Sequence, residues 1–475
     1  MGGNNNGKKK QIHFNGFIQN SPAPHAIGLW KHDKHEGAQH GTIDYWVKLA
    51  KLFEKGKFDS LFIADVLGTY SEYGNDYKTA VQHAVQVPDH DPLLVISAMA
   101  QATAHVGFAP TVSTTYFQPY DIARKFSTLD HLTHGRIGWN VVTSYLGSEA
   151  ENLGLTERMP KETRYDRADE FLDVTYKLWE SSWEDDAVVK DKATNTYADP
   201  DKVHLINHKG RFFNVPGPHI VEPSPQRTPV LFQAGASDKG RNFAGKHAEA
   251  IFVVNHSLQG LANDVNDIRS RATQQGRNKE DLKVFTMIVP VIGDTVEEAE
   301  QLHQELIQHI TYEGTAALLS GHTGIDFSQF DPDQYLEDIE TDAIQSLLDI
   351  YAKDPTRKWT LKEAIKHHGL GIGSVRFVGT PTQIADEIEH WVEVADVDGF
   401  NIAYGTIPNS YEDFIEKVVP ILQARGVYRK DYDEENTTLR ENLFGKGEKY
   451  LRSTHPGSQY KPQLNEQYSY STAEI

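Results

Sequence analysis

The chain has 475 residues, a formal net charge of −20 and no cysteine. The lack of cysteine excludes disulfide bonds, thiolate nucleophiles and thiolate metal ligands, and the acidic charge argues against a nucleic-acid-binding surface, which needs clustered Lys and Arg. No apolar run is long enough for a transmembrane helix, and the polar start lacks the apolar core of a signal peptide, so we expect a cytoplasmic protein without a membrane span.

Segments that favour β-strands alternate with segments of helical periodicity along most of the chain. The predicted strands are short and rich in apolar and β-branched residues: 12–18, 58–64, 106–112, 136–142, 229–233, 250–254, 283–291 and 399–403. The predicted helices carry apolar side chains at helical spacing: 43–54, 92–103, 121–131, 167–179, the segments between the strands at 229, 250 and 283, one that begins at Thr380 and Pro381, and 411–424. This alternation predicts βαβ units around a parallel sheet.

Eight strands, each followed by a helix, predict an α/β protein with a (β/α)₈ TIM barrel. Two longer stretches interrupt the alternation, one after the fourth strand and one around 296–375, and we interpret both as insertions. We expect residues 1–10 to be disordered and residues 11–427 to form a single barrel domain. The polar and aromatic segment 428–475 is predicted to be an extension that packs on the barrel or on a neighbouring subunit.

The stretch 131–145, HLTHGRIGWNVVTSY, shows most clearly where the site should lie. After a turn at Gly135 it enters an apolar strand, which ends on polar side chains that include Asn140 and Ser144. Active sites of (β/α)₈ barrels lie at the carboxyl ends of the strands, so we expect these groups to face the site. The alternative interpretation is a turn into a helix that is capped by Thr and Ser.

Polar side chains also follow the other strands. They are Asn20, Ser21 and His25 after the first strand, Asp65 after the second, Ser113, Thr114 and Thr115 after the third, and the segment QAGASDKG, residues 233–240, after the fifth. The small residues of the last segment open a helix, so its backbone N–H groups and Ser237 could form an anion site. An ordinary serine cap of that helix is the alternative.

Two further patterns lack the context that a cofactor or metal site requires. The glycines of residues 369–373 do not have the spacing of a dinucleotide fingerprint, so no nicotinamide site is predicted. His32, His35 and His40 lie at irregular spacing in a polar loop, and the predicted strands lack the His-x-His pattern expected of a metallohydrolase. We therefore predict no metal site.

Five long segments resemble those of the bacterial-luciferase-like, flavin-dependent monooxygenases. Within that family, the chain is similar to the group of nitrilotriacetate, EDTA, dimethyl-sulfide and dibenzothiophene-sulfone monooxygenases and pristinamycin synthase. The segments are 52–67 (LFEKGKFDSLFIADVL), 126–145 (FSTLDHLTHGRIGWNVVTSY), 164–185 (RYDRADEFLDVTYKLWESSWED), 222–240 (EPSPQRTPVLFQAGASDKG) and 397–404 (VDGFNIAY). The resemblance implies a TIM barrel of the luciferase-like type, with reduced FMN held loosely at its carboxyl face.

The resemblance also implies which residues hold the flavin. Those that resemble contacts of the isoalloxazine ring are Asp65, Ser113 and Asn140, and those that resemble contacts of the ribityl phosphate are Lys161, Tyr165 and Ser237. Relatives often carry His where this chain has Lys161; lysine can also meet a phosphate, but it does not titrate near neutrality. The phosphate contact at Ser237 agrees with the anion site proposed above.

The candidate catalytic groups are His25, Tyr70, Ser144 and His322. They lie in the loops after the first and second strands, at the exit of the fourth strand and in the later insertion. His322 occurs in SGHTGID, which resembles the sulfone-oxidising relatives. Each group could donate a hydrogen bond to the flavin or to the substrate, and a structural role is the alternative for each.

The resemblance implies the oxygenase component of a two-component monooxygenase. A separate NAD(P)H:flavin reductase supplies reduced FMN by diffusion, dioxygen adds to it, and the peroxide oxygenates a small organic nitrogen or sulfur compound. Aminopolycarboxylates, dialkyl sulfides and aryl sulfones are the expected types, often with C–N or C–S cleavage, and a homodimer or homotetramer is expected. The alternatives are a deazaflavin- or flavin-dependent hydride-transfer oxidoreductase of the same superfamily and a flavin-binding protein without turnover.

Overall fold

The structure is a computed structural model that describes residues 9–235, 237–339, 357–433 and 438–461, together with residues 348, 351 and 354. Residues 1–8 of the predicted disordered start and residues 462–475 of the predicted extension lie outside the described residues. The helices of the described ranges include none that is long and apolar enough to cross a membrane.

A closed parallel barrel forms the centre of the molecule. The strands are β1 (His13–Gln19), β2 (Ser60–Ala64), β3 (Gly107–Ser113), β4 (Gly138–Val142), β5 (Val188–Asp191), β6 (Thr196–Ala198), β7 (His208–Lys209), β8 (Asn214–Val215), β9 (Val230–Ala234), β10 (Ala250–Val253), β11 (Lys283–Ile292), β12 (Val375–Gly379) and β13 (Gly399–Ile402). Among the described residues, eight of them form the ring β1-β2-β3-β4-β9-β10-β11-β13, which closes where β13 pairs with β1. Each of the eight predicted strands is confirmed.

The barrel interior is filled by aromatic side chains below the carboxyl end of the strands. Phe17 lies 5.3 Å from Phe62 and 5.4 Å from Phe252 between ring centroids, and Phe62 lies 5.9 Å from Phe232. These rings come from β1, β2, β9 and β10, whose residues are buried almost throughout, as expected for a parallel sheet covered on both faces. The packed rings close the barrel below, so open space is found at its carboxyl mouth.

Helices surround the barrel and lie over its two ends. They are α1 (Ile43–Lys55), α2 (Lys78–Gln82), α3 (Leu93–Gln101), α4 (Pro119–Leu132), α5 (Gly147–Asn152), α6 (Lys161–Tyr176), α7 (Asp238–His247), α8 (Leu258–Gln274), α9 (Val296–His309), α10 (Tyr312–Thr323), α11 (Leu361–Gly369), α12 (Pro381–Ala395), α13 (Asn409–Asp413), α14 (Val419–Ala424) and α15 (Leu439–Phe444). One π-helical turn, Lys177–Ser181, continues α6, and another, Phe414–Val418, joins α13 to α14.

The helices follow from local sequence signals. In α12, Thr380 and Gln383 form a reciprocal capping box, and the predicted stripe from Ile384 to Val392 faces the core. In α1, the Thr42 side chain accepts a hydrogen bond from the Tyr45 backbone N–H, and the predicted apolar face is buried. These two predictions are confirmed. The physical reason is that cap chemistry and periodicity are both local properties.

A further strand, β12, was not predicted. It pairs in parallel with the second half of β11, from Ile288 against Val375 to Ile292 against Gly379. Its five residues, VRFVG, follow a glycine-rich turn and include a charged side chain, so they carry too short an apolar pattern to be recognised as a strand. The stretch after β4 holds two small hairpins, β5–β6 and β7–β8, as well as α5 and α6.

The segment 438–461 lies at the amino ends of the strands, opposite the mouth. Arg440 is 1% exposed, and its guanidinium donates to both carboxylate oxygens of Glu249, at 2.7 and 2.9 Å, just before β10. Arg440 also donates to the Thr228 carbonyl oxygen at 2.9 Å, just before β9. This part of the chain is therefore fixed to the barrel by a buried ion pair, which keeps it away from the mouth.

Candidate active site

A cavity of about 220 Å³ opens at the carboxyl ends of β2, β3, β4 and β9. Four of the predicted site residues line it: Asp65, Ser113, Ser144 and Tyr165. The first three stand at the ends of neighbouring strands, and Tyr165 reaches in from α6. The parallel barrel brings these side chains together because the carboxyl ends of its strands meet at one rim.

Two buried amide side chains of the strands β4 and β9 have an oxygen atom without a hydrogen-bond partner among the described residues, Asn140 Oδ1 and Gln233 Oε1. Each side chain belongs to a residue that is only 4% exposed. Their NH₂ groups are engaged, since Asn140 Nδ2 donates to Thr111 Oγ1 at 2.8 Å and Gln233 Nε2 donates to the Ala234 carbonyl oxygen at 3.0 Å. Buried amide oxygens are nearly always satisfied, so the mouth suits a ligand that presents N–H donors.

The ends of β3 and β4 are joined by hydroxyl groups. Ser113 Oγ lies 2.8 Å from Ser144 Oγ, and Ser113 Oγ also accepts from the Thr115 backbone N–H at 3.1 Å. The Ser144 backbone N–H in turn donates to Thr115 Oγ1 at 3.2 Å. The structure therefore places the catalytic candidate Ser144 beside the flavin candidate Ser113, as part of one hydrogen-bonded rim.

Asp65 lines both this cavity and an adjoining one of about 350 Å³. Burial raises the pKa of Asp65 to about 9, and the neighbouring carboxyl groups of Asp89, Asp91 and Glu149 add to the shift. At neutral pH the Asp65 carboxyl is therefore protonated. It can donate one hydrogen bond and accept others without placing a negative charge at the mouth.

The predicted anion site lies where α6 meets the start of α7. Ser237 caps α7 by accepting from the Gly240 backbone N–H at 3.2 Å, which confirms the helix cap. A β-carbon built on Gly240 would lie 2.8 Å from Tyr165 Oη, so the Tyr165 hydroxyl stands directly against the first turn of α7. Lys161 is exposed in the first turn of α6, one turn before Tyr165. Cap and anion site are therefore compatible interpretations of one feature.

A second polar cluster lies beside the mouth, formed by the loops after β1, β2 and β4 and by α10. Tyr70 Oη donates to Gln86 Oε1 at 2.8 Å, and it lies 2.5 Å from Tyr145 Oη and 3.5 Å from His322 Nε2. His25 is close enough to His322 for the charge of one to lower the pKa of the other. The structure thus brings three catalytic candidates, His25, Tyr70 and His322, together, whereas the Ser144 hydroxyl is paired with Ser113.

The second cluster is uncharged at neutral pH. Burial lowers the pKa of His25 to about 3, with a further contribution from His322. The pKa of His322 is also lowered by desolvation, although this residue is exposed to solvent. Burial also raises the pKa values of Tyr70 and Tyr145. These groups therefore act as neutral hydrogen-bonding side chains, and neither histidine offers a positive charge to a bound molecule.

Two residues of this cluster were missed by the sequence analysis as site candidates. Tyr145 is the last residue of the stretch that was singled out around β4, so its position already pointed to the mouth. Gln86 lies in the polar loop between β2 and α3, where neither spacing nor a motif distinguishes it. Only the fold of that loop brings Gln86 against Tyr70.

The family model for luciferase-like monooxygenases matches residues 25–397 of the chain. The chain is 44% identical over 455 residues to the dimethyl-sulfide monooxygenase of Hyphomicrobium sulfonivorans, which covers 95% of this chain and 94% of the relative. It is 47% identical over 452 residues to the long-chain alkane monooxygenase of Geobacillus thermodenitrificans, and the alignment covers 95% of this chain and 98% of the relative. It is 36% identical over 444 residues to nitrilotriacetate monooxygenase component A of Aminobacter aminovorans, and the alignment covers 92% of this chain and 97% of the relative.

Solved structures agree with these relatives. The crystal structure of DmoA from Hyphomicrobium sulfonivorans matches with a TM-score of 0.91 at 44% identity, covering 95% of this chain and 96% of the other. The crystal structure of a long-chain alkane monooxygenase matches with a TM-score of 0.88 at 46% identity, covering 95% and 100%. Together they confirm the luciferase-like barrel and the group that the sequence resembles.

Proposed function

This chain belongs to the luciferase-like monooxygenase family, and from that premise we propose that it is the oxygenase component of a two-component system that uses reduced FMN and dioxygen. The proposed substrate is a small organic compound that is oxygenated at or beside sulfur or nitrogen. The reduced FMN would come from a separate NAD(P)H:flavin reductase, in keeping with a relative that is named as one component of a monooxygenase.

The unpartnered amide oxygens of Asn140 and Gln233 support this proposal most directly. An isoalloxazine ring carries N–H groups and carbonyl oxygens along one edge, so it can donate to these amides. The protonated Asp65 can donate to a carbonyl oxygen of the same ring system. When bound, reduced FMN supplies the electrons with which dioxygen is activated for oxygen transfer to the substrate.

The ribityl phosphate would be held at the start of α7. There the Tyr165 hydroxyl, the free N–H groups of the first helical turn and the Ser237 cap face the same space. Lys161 would add a positive charge from one turn earlier on α6. We propose the flavin contacts Asp65, Ser113, Asn140, Lys161, Tyr165 and Ser237 on this basis.

The protein residues would position the reactants and exclude water. The Ser113–Ser144 rim and the second cluster of His25, Tyr70, Tyr145 and His322 enclose the space beside the mouth with neutral groups. Exclusion of bulk water would favour oxygen transfer to the substrate over unproductive release of hydrogen peroxide, and fixed neutral donors and acceptors would orient the substrate. We propose these cluster residues, together with Ser144, as the catalytic and substrate-positioning groups.

A long-chain alkane is a second candidate substrate. The relative at 47% identity is named for that substrate, and the adjoining cavity of about 350 Å³ is lined in part by the apolar side chains of Val112, Phe117 and Ile122. The assay distinguishes sulfides and sulfones from alkanes, because neither the family nor the cavity lining separates these substrate classes.

The test is oxygenation by the purified chain with FMN, NADH, a flavin reductase and air. Dialkyl sulfides, aryl sulfones, aminopolycarboxylates and long-chain alkanes form the substrate panel, and products are identified by mass spectrometry with ¹⁸O₂. We expect incorporation of one labelled oxygen atom into at least one class. Oxidation that continues without dioxygen when an oxidised deazaflavin is supplied as hydride acceptor would favour hydride transfer, and tight FMN binding without any product would favour a flavin-binding protein; either result would overturn the proposal.

A further inference from the structure

A chain of hydrogen bonds runs from Tyr145, at the mouth cavity, to Gln86, which lines the adjoining cavity of about 350 Å³. Tyr145 lines the cavity, its hydroxyl lies 2.5 Å from that of Tyr70, and Tyr70 donates to Gln86 Oε1 at 2.8 Å. At its inner end, Gln86 Nε2 donates to the Pro24 carbonyl oxygen at 3.4 Å. Tyr70 is 1% exposed and Gln86 is 6% exposed, so the hydrogen bond between them is buried.

The Gln86 side chain determines which groups donate and which accept along these hydrogen bonds. Its amide has one acceptor oxygen and one donor nitrogen, and the Pro24 carbonyl can only accept. The nitrogen must therefore face Pro24, because the opposite orientation would place two acceptor oxygens against each other. The Gln86 oxygen therefore faces Tyr70, and the Tyr70 hydroxyl donates its single proton to that oxygen.

The hydrogen bond from Tyr70 to Gln86 also determines which hydroxyl group donates between Tyr70 and Tyr145. Two phenol oxygens at 2.5 Å require one proton between them, and the proton of Tyr70 is already committed to Gln86. The proton between the two rings must therefore come from Tyr145. Tyr145 lines the cavity, so its oxygen would have a lone pair to offer a ligand there but no proton to donate.

The position of Tyr70 is fixed tightly enough to maintain this arrangement. A β-carbon built on Gly321 of α10 would lie 2.1 Å from Tyr70 Cδ1, so the ring lies directly against that helix. The buried side chains of Ile27, Val85, Leu146 and Leu318 belong to the same apolar cluster as Tyr70. With the ring held on all sides, the hydroxyl cannot leave Gln86 without moving the surrounding loops.

We propose that Gln86 is a positioning residue that, through Tyr70, makes Tyr145 a hydrogen-bond acceptor for the ligand of the mouth cavity. The matching ligand is an uncharged molecule that presents an O–H or N–H group to Tyr145. The identity of that ligand as the substrate rests on the proposed monooxygenase function, but the direction of the hydrogen bonds does not. It can therefore be tested by binding, without turnover.

The probes are 2-(methylthio)ethanol, which can donate a hydrogen bond, and its methyl ether 1-methoxy-2-(methylthio)ethane, which cannot. Their dissociation constants are measured by calorimetry with and without oxidised FMN. We expect the wild-type protein to bind the alcohol roughly three- to tenfold more tightly than the ether, which is the range for one hydrogen bond. If Gln86 had only a structural role, its substitution would change both dissociation constants by the same factor and leave their ratio unaltered.

Gln86→Met removes the acceptor at nearly constant length. The Tyr70 proton can then turn to Tyr145, the Tyr145 proton turns to the cavity, and the alcohol and ether should bind with a ratio near one. Gln86→Glu retains an acceptor oxygen for Tyr70 and should restore the preference. Tyr70→Phe frees the Tyr145 proton by a different change and should abolish the preference, and it serves if Gln86→Met does not fold.

Three outcomes would overturn the inference. One is equal binding of the two probes by the wild-type protein, and another is failure of both probes to bind in either condition. The third is a wild-type preference that persists in folded Gln86→Met and Tyr70→Phe proteins. An inactive enzyme that keeps the predicted preference would contradict the proposed function alone.

Discussion

Asp65 holds its proton at neutral pH because burial and three neighbouring carboxyl groups raise its pKa to about 9. In the unfolded chain an aspartate titrates near pH ~3.9, so between these two values the folded protein binds a proton that the unfolded protein releases. The contribution of Asp65 to stability is therefore fully present below the unfolded value. It decreases as the pH rises toward the folded value.

Substitution of Asp65 by Asn should flatten this pH dependence. We expect the melting temperature of wild-type protein without flavin to fall from pH 5 to pH 9 more steeply than that of Asp65→Asn. Asp33→Asn is the matched control, because Asp33 is exposed and its loss should leave the slope unchanged. Equal slopes for wild type and Asp65→Asn would show that Asp65 is ionised at neutral pH. The measurement is thermal unfolding followed by circular dichroism.

The Tyr165 hydroxyl should contribute to the affinity for the phosphate of FMN. A hydrogen bond to a charged group contributes about 1.5–3 kcal/mol, so Tyr165→Phe should weaken FMN binding by roughly 10- to 100-fold. Riboflavin has no phosphate, and its affinity should be unchanged by the same substitution. Quenching of flavin fluorescence measures both constants. A loss of the same size for FMN and riboflavin would place Tyr165 against another part of the flavin.

At the scale of elements, the contact between α10 and the loop after β2 forms one wall of the second cluster. Gly321 allows this contact, since a β-carbon there would lie 2.1 Å from Tyr70 Cδ1. Alanine for glycine within a helix ordinarily stabilises by about 0.5–1 kcal/mol. At Gly321 we expect alanine to destabilise the protein instead, because either α10 or the Tyr70 ring must move to make room for the β-carbon.

We therefore expect Gly321→Ala to lower the free energy of unfolding and to lower the rate of oxygenation. Gly147→Ala is the control: Gly147 begins α5, and a β-carbon there would have no neighbour within 4 Å among the described residues. That variant should be neutral or slightly stabilised in urea unfolding. A stabilised and fully active Gly321→Ala protein would contradict the tight packing of α10 on Tyr70.

At the scale of the whole molecule, one end of the barrel forms the candidate site and the other end stabilises the fold. The carboxyl end holds the cavities, and the amino end is closed by segment 438–461 through the pair of Arg440 and Glu249. Both side chains are buried, so removal of one partner leaves a charge without its counterion. Stability and activity should therefore respond independently to changes at the amino end.

Arg440→Met should cost about 3–5 kcal/mol in the free energy of unfolding, while the turnover number per folded molecule stays unchanged. Glu249→Gln added to Arg440→Met should recover part of that loss, because the uncompensated carboxylate is removed. Urea unfolding and steady-state kinetics measure the two quantities. A reduced turnover number in the folded single variant would show that the amino end influences the mouth.

The barrel was predictable from the sequence because its signals are local. The short apolar strands and the stripes of α1 and α12 reflect burial, which leaves a periodic pattern in any stretch that is long enough. The strand β12 shows the limit, since five residues with a charged side chain do not form such a pattern. The rule that sites lie at the carboxyl ends of barrel strands then located Asp65, Ser113 and Ser144 at one cavity.

The sequence by itself determined the class of fold, the face of the barrel on which the candidate site lies and the family of the chain. Only the tertiary structure decided which side chains meet. Tyr70, Gln86 and Tyr145 are brought together by loops whose course depends on long-range packing, and the proton of Asp65 depends on burial and then on the charges of three other residues. Burial and hydrogen-bond direction belong to a residue's neighbours in space, and those neighbours are not adjacent in the chain.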